Sequence, residues 1–166
     1  RERMRLNLKQ AGYLTALHQT ITESGKNLLE LPFIWCGSSS RVLRSAKVYE
    51  WEIAQSAIDS GKGVIFLTPH LGCFEVSAQA LSVSFSQKYG PLTVLYRPSR
   101  KEGLARVMEA TRARPGLETA PTTLAGVRQM IKALRAGRSV GLLPDQVPPL
   151  GMGQWTPFFG KPAYTM

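Results

Sequence analysis

The sequence predicts an α/β fold with a mainly parallel central sheet flanked by helices. Three observations carry the prediction. Short apolar, β-branched runs alternate with amphipathic stretches of roughly 10–15 residues, as in successive β-α-β units. The runs Val64–Leu67 and Ser139–Leu143 are near-continuously apolar, the pattern of strands covered on both faces. The residues able to do chemistry cluster just beyond the ends of these runs, where α/β sheets place their sites.

Taken in order, the first thirty residues are expected to be helical. Leu14, Leu17 and Ile21 share a face and Gly25 is a terminator. Residues 31–45, with Pro32, Gly37 and the run Ser38-Ser39-Ser40, are expected to be a loop. Val48 to Ser60 reads as an amphipathic helix with Val48, Trp51, Ala54 and Ile58 on one stripe, ended by Gly61-Lys62-Gly63. A strand over Val64–Thr68, buried on both faces, stops at Pro69. Phe74 to Gln87 is the next helix and Thr93–Tyr96 the second strand. Leu104, Val107, Met108 and Thr111 give residues 101–113 a helical period. Thr122 or Thr123 caps a further helix, with Leu124, Val127, Ile131 and Leu134 inward and Gly137 at its end. Ser139–Leu143 is the third strand, and Pro144 to Pro157 a loop rich in proline and glycine.

Composition bounds the function. The chain has 166 residues, 43% hydrophobic and 19% charged, enough for one domain with a core. Lys and Arg total 21 against 11 Asp and Glu, a formal charge of +10. Such a field attracts phosphates, whether of nucleic acid or lipid headgroups, and acidic carrier proteins. Two cysteines without a CxxC pair and only two histidines make a zinc or redox motif a poor fit. No run of roughly 18 apolar residues is present to span a bilayer. The chain opens on Arg1-Glu2-Arg3 without a methionine and stops just after an apolar patch, so it is read as a fragment of a longer protein.

Three loops carry candidate chemistry. The first, Thr68-Pro69-His70-Leu71-Gly72-Cys73-Phe74-Glu75, puts a histidine at a strand exit and a carboxylate five positions on. In the first turn of the next helix, where the dipole favours an ionised group, Glu75 can bend back to one ring nitrogen of His70. The other nitrogen is then available to take a proton from a hydroxyl. A base and an orienter without a protein nucleophile suit a reaction in which the substrate's own alcohol attacks. The plain alternative is a capped helix beside a hydrogen-bonded core histidine.

The second loop, Arg97-Pro98-Ser99-Arg100-Lys101, offers Arg97 as a bidentate phosphate ligand, or is a solvated basic turn. In the third, Pro144-Asp145-Gln146, Asp145 can bind substrate or hold Arg97, or it forms an Asx turn. Two further features have a bland and a sharp reading. Arg128, Lys132 and Arg135 on one helix face are a solvated face or a docking surface for an acidic partner or anionic membrane. Trp155, Pro157, Phe158 and Phe159 are read first as core packing, and otherwise as an acyl-chain groove or membrane contact. No Gly-x-Ser-x-Gly elbow, P-loop or dinucleotide fingerprint occurs.

As a set, these residues resemble the lipid A biosynthesis acyltransferases, the late lauroyl and myristoyl transferases related to the lysophospholipid and glycerol-phosphate acyltransferases. The matching stretches are Gly63 to Gly72 with Phe74-Glu75, Tyr96-Arg97-Pro98, Leu142-Leu143-Pro144-Asp145-Gln146, and Thr156-Pro157-Phe158-Phe159-Gly160 with Pro162-Ala163. Pro144-Asp145-Gln146 stands where the wider group has Pro-Glu-Gly, which points to the lipid A branch, and Cys73 stands where the family more often has Asn.

The resemblance implies His70 and Glu75 as the catalytic pair, with Arg97, Asp145, Gln146 and Gly72 at the substrate. It implies a fatty acyl donor carried as an acyl carrier protein thioester, a phosphorylated lipid A precursor as acceptor, an anionic membrane surface as a partner, and no cofactor or metal. It places the protein at the cytoplasmic face of the bacterial inner membrane. It makes this chain a single, incomplete acyltransferase domain over residues 1–166, lacking an N-terminal membrane anchor and a C-terminal part. The rival readings are an acyltransferase with another glycolipid or phospholipid acceptor, and a basic nucleic-acid- or membrane-binding module. Nucleic acid is not expected, because no aromatic residues interleave with the basic ones as a stacking platform requires.

Overall fold

A computed structural model of the chain describes residues 2–96, 103, 105, 106, 108, 110 and 114–165. They fall into two compact units, one of residues 32–143 and one of residues 1–31 with 144–166.

The first unit is built on a four-stranded, wholly parallel sheet of β1 (Val64–Leu67), β2 (Leu92–Tyr96), β3 (Leu117–Pro121) and β4 (Ser139–Leu142), in the order β1-β4-β2-β3. The register pairs Ile65 with Val140, Thr93 with Val140 and Leu95 with Ala120. The chain steps across the sheet from β1 to β2 to β3, then returns to β4. Crossovers in parallel sheets are right-handed, so the helix after β1 and the helix after β3 take opposite faces.

The packing shows those two faces. The helix after β1, Phe74–Tyr89, and the earlier helix Trp51–Asp59 share one side, where Ile58, Phe66, Leu81, Phe85 and Leu92 line a small cavity. Trp51 stacks on Phe85 with ring centroids 4.6 Å apart. The helix after β3, Leu124–Arg135, takes the other side, and its Met130 and Ala133 pack with Ala120 and Val140. In chain order the α-helices with described bounds are α1 (Glu2–Gln10), α2 (Leu17–Cys36), α3 (Ser39–Arg44), α4 (Trp51–Asp59), α5 (Phe74–Tyr89) and α6 (Leu124–Arg135). Positions 103, 105, 106, 108 and 110 are also helical, inside the stretch expected to be a helix; Leu104, Val107 and Thr111 lie outside the described residues.

The expectations for α5, β2, β4 and α6 hold. Thr123 caps α6 by accepting a hydrogen bond from the Gly126 amide, and Gly137 follows its end. Others are corrected. Gly25 does not terminate a helix: α1 ends at Gln10, a 3₁₀ turn spans Leu14–Ala16, and α2 runs through both Gly25 and Pro32 to Cys36. The loop expected over 31–45 is therefore the end of α2 plus α3, whose cap is Ser38, accepting from the Arg41 amide. α4 starts at Trp51, so Val48 is outside it and exposed. β1 is not buried on both faces. It is an edge strand whose Ile65 and Leu67 are 51% and 66% exposed.

Most of the α6 face expected to point inward is also corrected. Gly126, Met130 and Ala133 are its buried stripe and Leu124, Val127 and Ile131 are exposed, while Leu134 packs against the core as expected. The reason lies at Gly126, where a Cβ would overlap the Pro121 carbonyl oxygen. The bare backbone at this glycine lets the helix settle directly on the end of β3, which turns the small-residue stripe to the sheet.

In the second unit, the stretch expected to be all loop contains β5 (Gln154–Phe158), paired antiparallel with β6 (Lys161–Thr165). Phe159 and Gly160 both take positive φ, 49° and 70°, which a two-residue hairpin turn of type I′ needs. Trp155, Phe158 and Phe159 are exposed rather than core. Trp155 packs on Tyr164 across the hairpin, ring centroids 5.2 Å apart. Among the described residues no helix is long and apolar enough to cross a membrane.

Candidate active site

Because all four strands run in the same direction, β1, β2 and β4 deliver their carboxyl ends to one edge of the sheet. The pairing extends one residue beyond β1, where the Thr68 amide donates to the Leu142 carbonyl at 3.0 Å. The chain then turns through Pro69 and His70 to Gly72, at φ +53°, a value that costs glycine nothing and most side chains a good deal. Cys73 is the N-cap position of α5, and Glu75 lies in the first turn.

His70 and Glu75 are both half-buried. The imidazole meets the ring of Phe74 edge-on, centroids 5.0 Å apart and planes at 67°. Phe74 was quoted from sequence only as part of the motif that carries Glu75, with no role of its own. Its role is to hold the imidazole plane against the start of α5, a contact of about 0.5–1.5 kcal/mol, immediately beside Glu75 in the chain. Leu67 and Leu71 flank the turn in the chain and are exposed.

His70, Gly72 and Glu75 thus come together at a single strand-to-helix junction. Arg97 lies outside the described residues. Asp145 and Gln146 are exposed and belong to the second unit, three and four positions after β4 in the chain. Among the described residues, no group of three His, Cys, Asp or Glu side chains is placed to hold a metal ion.

The elements around the junction are held by polar contacts distant in sequence. The Arg114 guanidinium donates to the carbonyls of Ile34, Trp35 and Gly37 at 2.9, 2.8 and 3.1 Å and to the Ser39 hydroxyl at 2.9 Å. It thereby closes the carboxyl end of α2 and ties it to α3. Gln79 of α5 donates to the Ile34 carbonyl at 3.2 Å. On α4, Asp59 accepts hydrogen bonds from Tyr89, Gln55 and Lys88. The Tyr89 and Gln55 bonds, in that order, hold its carboxyl below the ordinary aspartate range.

Comparison with curated proteins finds no match. Comparison with family models does: the model of the bacterial lipid A biosynthesis acyltransferases matches residues 15–166, from just inside the 3₁₀ turn through the hairpin. The match spans the sheet, the His70 junction and the Pro144-Asp145-Gln146 loop. The chain therefore belongs to the bacterial lipid A biosynthesis acyltransferases, enzymes of acyl group transfer.

Proposed function

We propose that this acyltransferase moves a fatty acyl chain from an acyl carrier protein thioester to a hydroxyl of a lipid A precursor, with His70 as general base and Glu75 as its positioning residue. One observation carries the reading. His70 leaves the carboxyl edge of a parallel sheet, pinned edge-on to Phe74, with Glu75 in the adjoining first turn of α5.

In this scheme His70 takes the proton of the acceptor hydroxyl as its oxygen attacks the thioester carbonyl carbon. The carbon–oxygen bond forms, and the tetrahedral oxyanion is met by amides at the start of α5 or by Arg97. The carbon–sulfur bond then breaks, and the carrier's thiolate recovers the proton from the imidazolium. Glu75 holds the ring's orientation and offsets its transient charge. Exposed Leu67 and Leu71 offer an aliphatic surface beside the reacting carbonyl. Gly72 leaves the turn open to substrate, and Arg97, Asp145 and Gln146 hold the phosphorylated acceptor. No cofactor or metal is required, since donor activation resides in the thioester. The work site is the cytoplasmic face of the bacterial inner membrane, whose anionic surface suits a chain of charge +10.

The test is acyl transfer from labelled acyl carrier protein to a lipid A precursor. Wild type is expected to form product, His70→Ala to lose it, and Glu75→Gln to lower kcat with little change in KM for either substrate. Unimpaired transfer by His70→Ala would remove His70 as the base.

A further inference from the structure

We infer that the exposed face of α6 is where an acidic acyl carrier protein docks; this rests on the donor proposed above. The outward side of α6 carries two parallel rows. Leu124, Val127 and Ile131, at spacings of three and four, are 66%, 45% and 43% exposed. Arg128, Lys132 and Arg135, at spacings of four and three, are exposed alongside them. Among the described residues none of the three cations pairs with a carboxylate. The sequence has no acidic residue between Glu118 and Asp145, so nothing local offsets their charge.

An aliphatic row beside an unneutralised cationic row along one helix is complementary to an amphipathic helix with acidic flanks. It is a weaker match to a lipid surface. Helices that lie on bilayers set Trp, Phe or Leu opposite their basic face, and α6 has no Trp or Phe and a single Leu in its exposed aliphatic row.

Position supports the same partner. α6 follows β3 directly, so its first turn lies at the carboxyl edge of the sheet, the edge from which His70 emerges. β1 and β3 are the two outer strands of four, and three strand spacings separate them by about 14 Å. A carrier seated on α6 would deliver its thioester, borne on a flexible prosthetic arm, along the edge that holds the base.

The experiment compares wild type with Arg128→Glu/Lys132→Glu and with the milder Arg128→Gln/Lys132→Gln. Two donors are used: acyl carrier protein charged with a fatty acid, and the same acyl group on pantetheine. The expected result is a rise of roughly ten-fold in KM for the carrier donor at low salt. That gap should narrow as ionic strength rises, the glutamine pair should fall between, and transfer from acyl-pantetheine should be unchanged. An unchanged carrier KM in both variants, with wild type active, overturns the docking surface and leaves the donor reading standing. Equal losses with both donors, together with reduced binding to anionic phospholipid vesicles, overturn it in favour of a membrane contact. If wild type uses acyl-pantetheine but not the carrier, the donor reading fails and the docking surface fails with it.

Discussion

At the scale of single residues, the fold leans on a few side chains whose partners lie far away in the chain. Arg114 is the clearest. Its guanidinium satisfies three carbonyls at the end of α2 and the Ser39 hydroxyl. Hydrogen bonds to a charged donor are worth about 1.5–3 kcal/mol each, and an orphaned acceptor carries its own penalty. Arg114→Met is therefore expected to destabilise the protein by about 3 kcal/mol, read as a shift in the denaturation midpoint at constant slope. A change below about 0.5 kcal/mol would show that the bonds are dispensable.

Asp59 gives a pH signature. Hydrogen bonds from Tyr89 and Gln55 hold its folded carboxyl below the ordinary value of 3.8. A depressed carboxylate contributes stability above its ordinary value, and that contribution disappears as the pH falls through the folded value. Wild type should lose stability relative to Asp59→Asn below about pH 3.8 and keep its margin above it. Parallel acid limbs in the two proteins would show that the bonds do not favour the charged form. Neither residue was legible in the sequence, because a lone arginine or aspartate announces no partner 80 or 30 positions away.

Elements were legible where their signals were local. The Thr123 cap, the apolar run of β4 and the helix starting at Phe74 are written in adjacent residues, and each formed where read. The failures are tertiary. Pro32 and the three serines look like a loop, yet α2 runs through the proline to Cys36, and Arg114 closes its end. β3 was missed because Leu117-Glu118-Thr119-Ala120-Pro121 mixes a charge and a proline into an edge strand, where both are tolerated.

The facing of α6 was misread because its larger aliphatics were assumed to be core. The close seat on β3 is reserved for Gly126 instead. Gly126→Ala tests that seat directly. The added methyl group meets the Pro121 backbone, and overpacking of this kind typically costs about 1–3 kcal/mol. Helix propensity alone would make the same change stabilising by nearly 1 kcal/mol, so the sign of the measured change decides between packing and propensity.

At the scale of the whole molecule, the α/β class and the parallel sheet follow from alternation, and the family from four motifs in order rather than from any one of them. The β1–α5 junction explains why the first motif reads as it does. A strand is needed to reach the sheet edge, a turn at Gly72 to reverse, and a helix start to carry Glu75. Sequence could nominate His70 and Glu75 but not the Phe74 ring that pins the imidazole, since aromatic contacts of this kind depend on the turn's geometry. The exposed Trp155, Phe158 and Phe159 of the hairpin and the bare aliphatics of β1 and α6 show that much apolar surface lies outside the core, more than composition could reveal. The charge of +10 is likewise only a sum until α6 is seen to gather three of those charges beside an aliphatic row.

The measurement closest to the central claim is the single-turnover rate of acyl transfer to a lipid A precursor at saturating donor, for wild type and His70→Ala, with the variant's folding verified by its denaturation curve. A general base contributes about 10²–10⁴-fold. A loss of that size is expected in a folded His70→Ala protein. A folded variant that transfers at the wild-type rate would contradict it.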